Sequence, residues 1–158
     1  MYYQLKREQF IHTDIETLWN FVSSPSNLKR ITPQSMCIKI TTSNAAEIIY
    51  PGMIITYKIY PILNIPLNWI TEITQIKTLR FFVDEQRMGP YKMWHHQHIF
   101  KEQDGGVLMK DIVTYIPPFG IFGDILNSLF IKKQLNSIFA YRFKAMDNFF
   151  PPKVDSNT

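Results

Sequence analysis

From Tyr2 to Ile11 side chains of different character interleave, with Tyr3, Leu5, Arg7, Gln9 and Ile11 on one side of an extended chain and Tyr2, Gln4, Lys6, Glu8 and Phe10 on the other. A period of two predicts a first strand. Thr13-Asp14-Ile15-Glu16 has the spacing of a capping box, in which the Thr13 hydroxyl accepts from the Glu16 amide just ahead of Leu18, Trp19, Phe21 and Val22. Ser24-Pro25 repeats a helix start, and Pro33 ends it because its ring disfavours helical geometry at the preceding residue. Two short helices therefore follow the first strand. Between Met36 and Ile116 the pattern changes to β-branched and aromatic runs, punctuated by Ser43-Asn44, Pro51-Gly52, Asn64, Gly89-Pro90 and Asp104-Gly105-Gly106. Strands are predicted near 36–42, 53–61, 65–76, 79–87, 92–102 and 107–116, with Pro61 and Pro66 at a strand boundary. Beyond Pro117, the residues Ile121, Ile125, Leu129, Leu135, Ile138, Phe139, Met146 and Phe149 recur mostly at helical steps, which predicts one amphipathic helix from about Phe122 to Phe149. Pro151-Pro152 stops it. The expectation is a single α+β domain over 1–150 and a frayed polar tail over 151–158.

Composition narrows the function classes. With 46% hydrophobic and 19% charged residues, the 158-residue chain has enough apolar surface to offset the entropy of ordering. The net charge of +4 is spread along the chain, so no nucleic-acid partner is expected. A lone cysteine, Cys37, makes neither an internal disulfide nor a cysteine-rich zinc site. The start lacks a basic-then-apolar signal and no run of about 18 apolar residues occurs, so a cytoplasmic protein without a transmembrane segment is expected.

The chemistry concentrates on one predicted hairpin. Trp94, His96, His98 and Phe100 share a strand face, as do Asp111, Val113 and Tyr115. If Asp104-Gly105 forms a two-residue type I′ turn, counting outward pairs Phe100 with Met109, His98 with Asp111, His96 with Val113 and Trp94 with Tyr115; a turn centred on Gly105-Gly106 keeps the faces but sets Asp111 opposite Phe100 and diagonal to His98, a weaker form of the contact. Three readings of the His98–Asp111 contact stay open. It is an acid–base pair assisted by His96, a buried structural hydrogen bond, or part of a two-His-one-carboxylate metal site formed by His96, His98 and Asp111. No further His or Cys stands where it could add a ligand, which counts against the metal. His95 lies on the opposite, outward face, and His12 ends the first strand. The aromatics Trp69, Phe82, Trp94, Tyr115, Phe139 and Phe143 serve equally as core or as cavity wall. Arg142, set among apolar helix residues, either snorkels to solvent or pairs with Asp111 or a ligand carboxylate. Pro117 to Gly123 is a pocket lip or an ordinary turn with Phe119 and Phe122 tucked inward, and Lys132-Lys133 is a solvated face.

Strand, two short helices, antiparallel meander and long C-terminal helix make the helix-grip order. The run Gly89-Pro90-Tyr91-Lys92-Met93-Trp94-His95-His96-Gln97-His98-Ile99-Phe100, then Asp111, Val113 and Tyr115, then Pro118-Phe119-Gly120, resembles the bacterial branch of the SRPBCC superfamily (START-related, birch-pollen-allergen-like, polyketide cyclase and dehydrase-like). That branch reads GP-aromatic, W-x-H-x-H-x-F, D-x-V-x-Y, PFG. Trp19, Leu28, Thr32-Pro33, Gly52 and Trp69-Ile70-Thr71 upstream, and Gly123, Leu135, Ile138-Phe139 and Tyr141-Arg142 downstream, extend the likeness over nearly the whole chain. Val107 departs from a frequent threonine. The resemblance implies binding of a hydrophobic or amphipathic small molecule between sheet and C-terminal helix, at Trp69, Phe82, Trp94, His96, His98, Asp111, Tyr115, Phe139 and Arg142. It implies neither metal nor cofactor and leaves the oligomeric state open. Its alternatives are a cyclase or dehydratase using His98 and Asp111, with His96, as catalytic groups, and a ligand-responsive interaction module.

Overall fold

The computed structural model describes residues 1–42, 48–60 and 66–152. The Ser43-Asn44 turn, Pro61, Asn64 and the end of the polar tail lie outside them. Strand β1 (Tyr3–Ile11) is followed by helix α1 (Ile15–Val22), two 3-10 turns (Pro25–Ile31 and Gln34–Met36) and strands β2 (Lys39–Ile40), β3 (Ile54–Ile59), β4 (Leu67–Lys77), β5 (Phe81–Met88), β6 (Met93–Gln103) and β7 (Gly106–Ile116). Helix α2 (Gly120–Leu126) leads through a π turn (Asn127–Ile131) into helix α3 (Lys132–Phe149). The strands form one antiparallel sheet in the order β1-β7-β6-β5-β4-β3-β2.

Several sequence expectations are corrected at the level of local geometry. The cap of α1 is Asp14, not Thr13: its carboxylate accepts from the Thr17 amide and the Thr17 hydroxyl, both at 2.7 Å, because Asp14 rather than Thr13 occupies the extended position that opens the helix. The second short helix is a 3-10 turn. The strand expected over 36–42 shrinks to Lys39–Ile40, since Gln34–Met36 forms the second 3-10 turn and Cys37 turns left-handed at φ 43°. In the β6–β7 hairpin Gly105 is left-handed (φ 79°) whereas Asp104 is not, so the turn is not type I′. Its two-residue length nevertheless keeps Gln103 opposite Gly106, and the register counted from the sequence holds from there to Trp94↔Tyr115.

The C-terminal helix departs most. It begins at Gly120, and the π turn inserts extra chain that rotates everything before it out of phase with α3. Ile125 and Leu129, expected in the buried stripe, are 53% and 61% exposed, while Leu135, Phe139 and Met146 lie at 4%, 5% and 0%. The turn is anchored where Asn127, buried, accepts a hydrogen bond from the Tyr115 hydroxyl at 2.8 Å.

Two apolar clusters result. One gathers Leu18 and Trp19 of α1 with Ile11, Met53, Ile73, Phe82, Phe100, Val107 and Met146. The other gathers Trp94, Val113, Tyr115, Leu135 and Phe139, with Leu5, Trp69 and Tyr91 against it. Among the described residues no helix is long and apolar enough to cross a membrane.

Candidate functional site

On the sheet face that meets α3, adjacent strands bring polar side chains together beside these clusters. The β6–β7 register sets His98 opposite Asp111, and the β5–β6 register sets Asp84 opposite His96. Because side chains alternate, His96 and His98 project to the same face, and each imidazole reaches both carboxylates. His96 Nε2 lies 2.9 Å from Asp111 Oδ1 and its Nδ1 lies 3.4 Å from Asp84 Oδ2. His98 Nε2 lies 2.9 Å from Asp84 Oδ2 and its Nδ1 lies 2.9 Å from Asp111 Oδ1. Arg142 closes the group from α3, with Nη1 3.9 Å from Asp111 and its guanidinium 4.9 Å from the centre of the Phe139 ring. Its Nε is buried and makes no hydrogen bond with the described residues.

Rings hold the imidazoles in place. Phe82 stacks on His98 with centroids 4.1 Å apart, and the Phe139 ring meets His96 edge-on at 5.8 Å. Next to His96 stands an aromatic wall: Trp94 lies 5.2 Å from Trp69 and 4.9 Å from Tyr91, which in turn lies 5.7 Å from Tyr115.

Burial and pairing decide the charges. Burial alone would raise Asp111, but hydrogen bonds from His96 and His98 outweigh it and hold the carboxyl well below the usual range. Asp84 is likewise opposed by burial yet lowered by the charges and hydrogen bonds of His96 and His98, with Arg142 adding to them. For His98, burial favours the neutral ring, but hydrogen bonds to Asp111 and Asp84 prevail and its pKa rises. For His96, burial dominates, His98 adds repulsion, and its pKa falls despite the carboxylates. The Arg142 guanidinium and the raised basicity of His98 thus face the two carboxylates, while burial favours the neutral ring at His96. A buried carboxylate pair is tolerable where basic groups stand against it.

All nine residues singled out as ligand-binding converge on this face. Trp69, Trp94, Tyr115 and Phe139 line it, His96, His98, Asp111 and Arg142 form its polar centre, and Phe82 joins through its stack on His98 although it packs in the α1 cluster. Phe143 is 39% exposed, and His95 faces outward to Glu85 at 2.8 Å. Asp84 was missed. The signal was present, because Asp84 is two residues from Phe82 and so shares its face. The β5–β6 connection hid it: pairing stops at Glu85↔His95, and Gln86 instead bridges to the Tyr91 backbone, so no register could be counted through the turn.

A void of about 10 Å³ lies among Arg7, Gln9, Met109, Asp111, Phe139 and Arg142, room for about one water. A separate open cleft of about 330 Å³ lies against α1, between Trp19, Asn20, Ile49, Ile76 and Leu79. Phe119, Ile121, Phe122, Ile125, Leu129 and Phe130 stand exposed on α2 and the π turn, so Phe119 and Phe122 are not tucked inward.

No family model matches the chain, and no curated protein matches it. Solved structures do. The protein TTHA0849 from Thermus thermophilus superposes with a TM-score of 0.69 at 14% identity, over 92% of this chain and 94% of that one. The ginseng major latex-like protein 151 from Panax ginseng gives 0.68 at 12%, over 96% and 99%. A nucleoside-diphosphate sugar epimerase from Corynebacterium glutamicum gives 0.64 at 23%, with 91% of this chain matching only 28% of that one. At these identities the likeness establishes the fold, a helix-grip architecture of antiparallel sheet and long C-terminal helix.

Proposed function

We propose that the protein binds an amphipathic small molecule on the inner sheet face, its apolar body against Trp69, Trp94, Tyr115 and Phe139 and its polar end at the His96–His98–Asp111–Arg142 group. The observation that carries this reading is a charged, hydrogen-bonded cluster placed at an aromatic wall inside the domain, the arrangement of few polar groups in an apolar setting that orients a ligand. The buried Arg142 Nε favours a ligand bearing a carboxylate or similar acceptor. Since only about 10 Å³ is open beside the cluster, binding requires α2, the π turn and α3 to move outward. The chain offers a hinge for this at Phe119 and Gly120, both left-handed. Helix α2 and the π turn are held by Tyr3 to Asp124 at 3.0 Å and Tyr115 to Asn127 at 2.8 Å, and α3 by Arg7 to Asn136 at 2.5 Å and Gln9 to Phe143 and Asp147 at 2.9 Å and 2.7 Å, contacts that must yield for the helix to move.

The test is fluorescence titration with cis-parinaric acid and its alcohol analogue. Saturation at one equivalent is expected, with a negative heat-capacity change and with Arg142→Met weakening the acid more than the alcohol. Failure of both probes to saturate overturns the reading. An acid–base enzyme is less favoured, because every ring nitrogen of His96 and His98 already lies within 3.4 Å of a carboxylate oxygen. The exposed apolar side chains of α2 and the π turn favour, as a second reading, a module that meets a partner protein there.

A further inference from the structure

We infer that Asp84, His96 and His98 form a site for a first-row divalent metal ion, with Asp111 behind the two imidazoles as the carboxylate that orients them. One ligand atom from each of the three residues falls within a sphere in which all lie within 4.8 Å of one another. The atoms that face one another are Asp84 Oδ2, His96 Nδ1 and His98 Nε2. For ligands about 2.1 Å from an ion, the 2.9 Å and 3.4 Å separations from Asp84 Oδ2 correspond to angles of about 90° and 110° at the metal. Those are the angles of octahedral and tetrahedral coordination.

The remaining ring nitrogens complete the pattern. His96 Nε2 and His98 Nδ1 both lie 2.9 Å from the same oxygen, Asp111 Oδ1. A metal-bound imidazole characteristically gives its second N–H to a carboxylate, which fixes its tautomer and aims its lone pair. Here His96 makes that hydrogen bond to Asp111, and His98 Nδ1 lies at the same distance from the same oxygen.

Counting donors leads to the same place. A neutral imidazole carries one N–H. If each ring directs it to Asp111, two nitrogen lone pairs and one carboxylate oxygen converge with no donor among them. A proton on His98 satisfies one of these contacts, while His96 Nδ1 at 3.4 Å from Asp84 stays without one. A divalent cation satisfies all three together. The three residues sit on adjacent central strands, with the Phe82 stack on His98 and the Phe139 edge on His96 limiting ring rotation.

The donor set of two nitrogens and one oxygen suits zinc, cobalt, iron or manganese rather than calcium or magnesium. Three protein ligands leave coordination positions open. With both imidazoles neutral, the ion and Arg142 contribute +3 against −2 from Asp84 and Asp111, so the open position favours an anionic group or hydroxide. The inference does not depend on the amphipathic ligand: loss of probe binding leaves it intact.

The experiment is a Co²⁺ titration of the chelator-stripped full chain, followed by visible absorption and proton NMR of the imidazoles, with Zn²⁺ as competitor. One equivalent should bind with d–d bands, and the His96 and His98 ring signals should undergo paramagnetic shifts while those of His12 and His95 do not. Asp84→Asn should abolish the bands; Asp111→Asn should keep the one-to-one stoichiometry and weaken binding by about 10- to 100-fold, as expected of an orienting carboxylate. His95→Gln should change nothing. If a variant does not fold by circular dichroism, the wild-type NMR assignment still decides. Absence of stoichiometric binding, or shifts at His12 or His95 in place of His96 and His98, overturns the inference.

Discussion

Phe139→Ala removes the side chain through which α3 meets the polar group. The ring is 5% exposed, lies edge-on to His96 at 5.8 Å and carries the Arg142 guanidinium over its face at 4.9 Å. Deleting a buried phenylalanine costs about 3 to 5 kcal/mol, combining lost transfer energy with the hole left behind. Of that, the cation–π contact supplies about 1 to 2 kcal/mol, since the Arg142 side chain is 11% exposed and largely desolvated. Phe139→Leu separates the two contributions: it retains much of the apolar volume but not the π face, so its cost should be about 1 to 2 kcal/mol. Equilibrium urea unfolding followed by far-ultraviolet circular dichroism measures both, with an unchanged m-value required for the comparison. The enlarged interior of the alanine variant should also take up a small aromatic probe that the wild type, with about 10 Å³ available, excludes. A loss below about 1 kcal/mol on Phe139→Ala would refute the packing of α3 against this face.

The phase shift at the π turn predicts that Leu135→Ala costs about 2 to 5 kcal/mol while Leu129→Ala stays within about 0.5 kcal/mol of wild type in the same denaturation assay. Equal costs would contradict the turn. Asp14→Ala should destabilise by about 1 kcal/mol and Thr13→Ala by much less, measured as thermal midpoints, because only Asp14 accepts from the first turn. In chelator-treated protein, the raised His98 pKa adds stability that is full below the unfolded value of about 6.5 and lost as pH rises through the folded value. The lowered His96 contributes stability that is full above the unfolded value and lost as pH falls from there through its folded value, so the two act in adjacent windows on either side of about 6.5 and do not cancel. Asp84 and Asp111, both lowered, stabilise above the ordinary carboxylate range and lose that contribution as pH falls through their folded values. Urea midpoints against pH should therefore peak near the unfolded histidine value of about 6.5, declining on the alkaline side through His98 and on the acid side through His96 and then the carboxylates, and Asp111→Asn should lower the His98 titration seen by NMR; a His98 titration that does not move would dissolve the pair.

The local order of this protein was legible from its sequence because two physical rules act over short range. Alternation along Met93–Gln103 and Gly106–Ile116 puts His98 and Asp111 on one face; a two-residue turn at Asp104-Gly105 sets them directly opposite and one at Gly105-Gly106 sets them on a diagonal, and the structure takes the first. The same counting set Trp94 beside Tyr115, whereas Trp69, Phe139 and Arg142 were tied to them only through the family resemblance; the element order pointed to the helix-grip fold. Where the chain passes through irregular geometry, such counting fails. The Gln86–Tyr91 bridge ends the ladder between β5 and β6 and concealed Asp84; the π turn at Asn127–Ile131 broke the helical phase and exposed Ile125 and Leu129. Charge, too, belonged to the tertiary structure. Two histidines two residues apart are chemically alike in sequence, yet the hydrogen bonds of His98 to two carboxylates outweigh its burial while those of His96 do not, because a pKa is set by the sum of desolvation and neighbouring charge, and both depend on strands and a helix far apart in the chain.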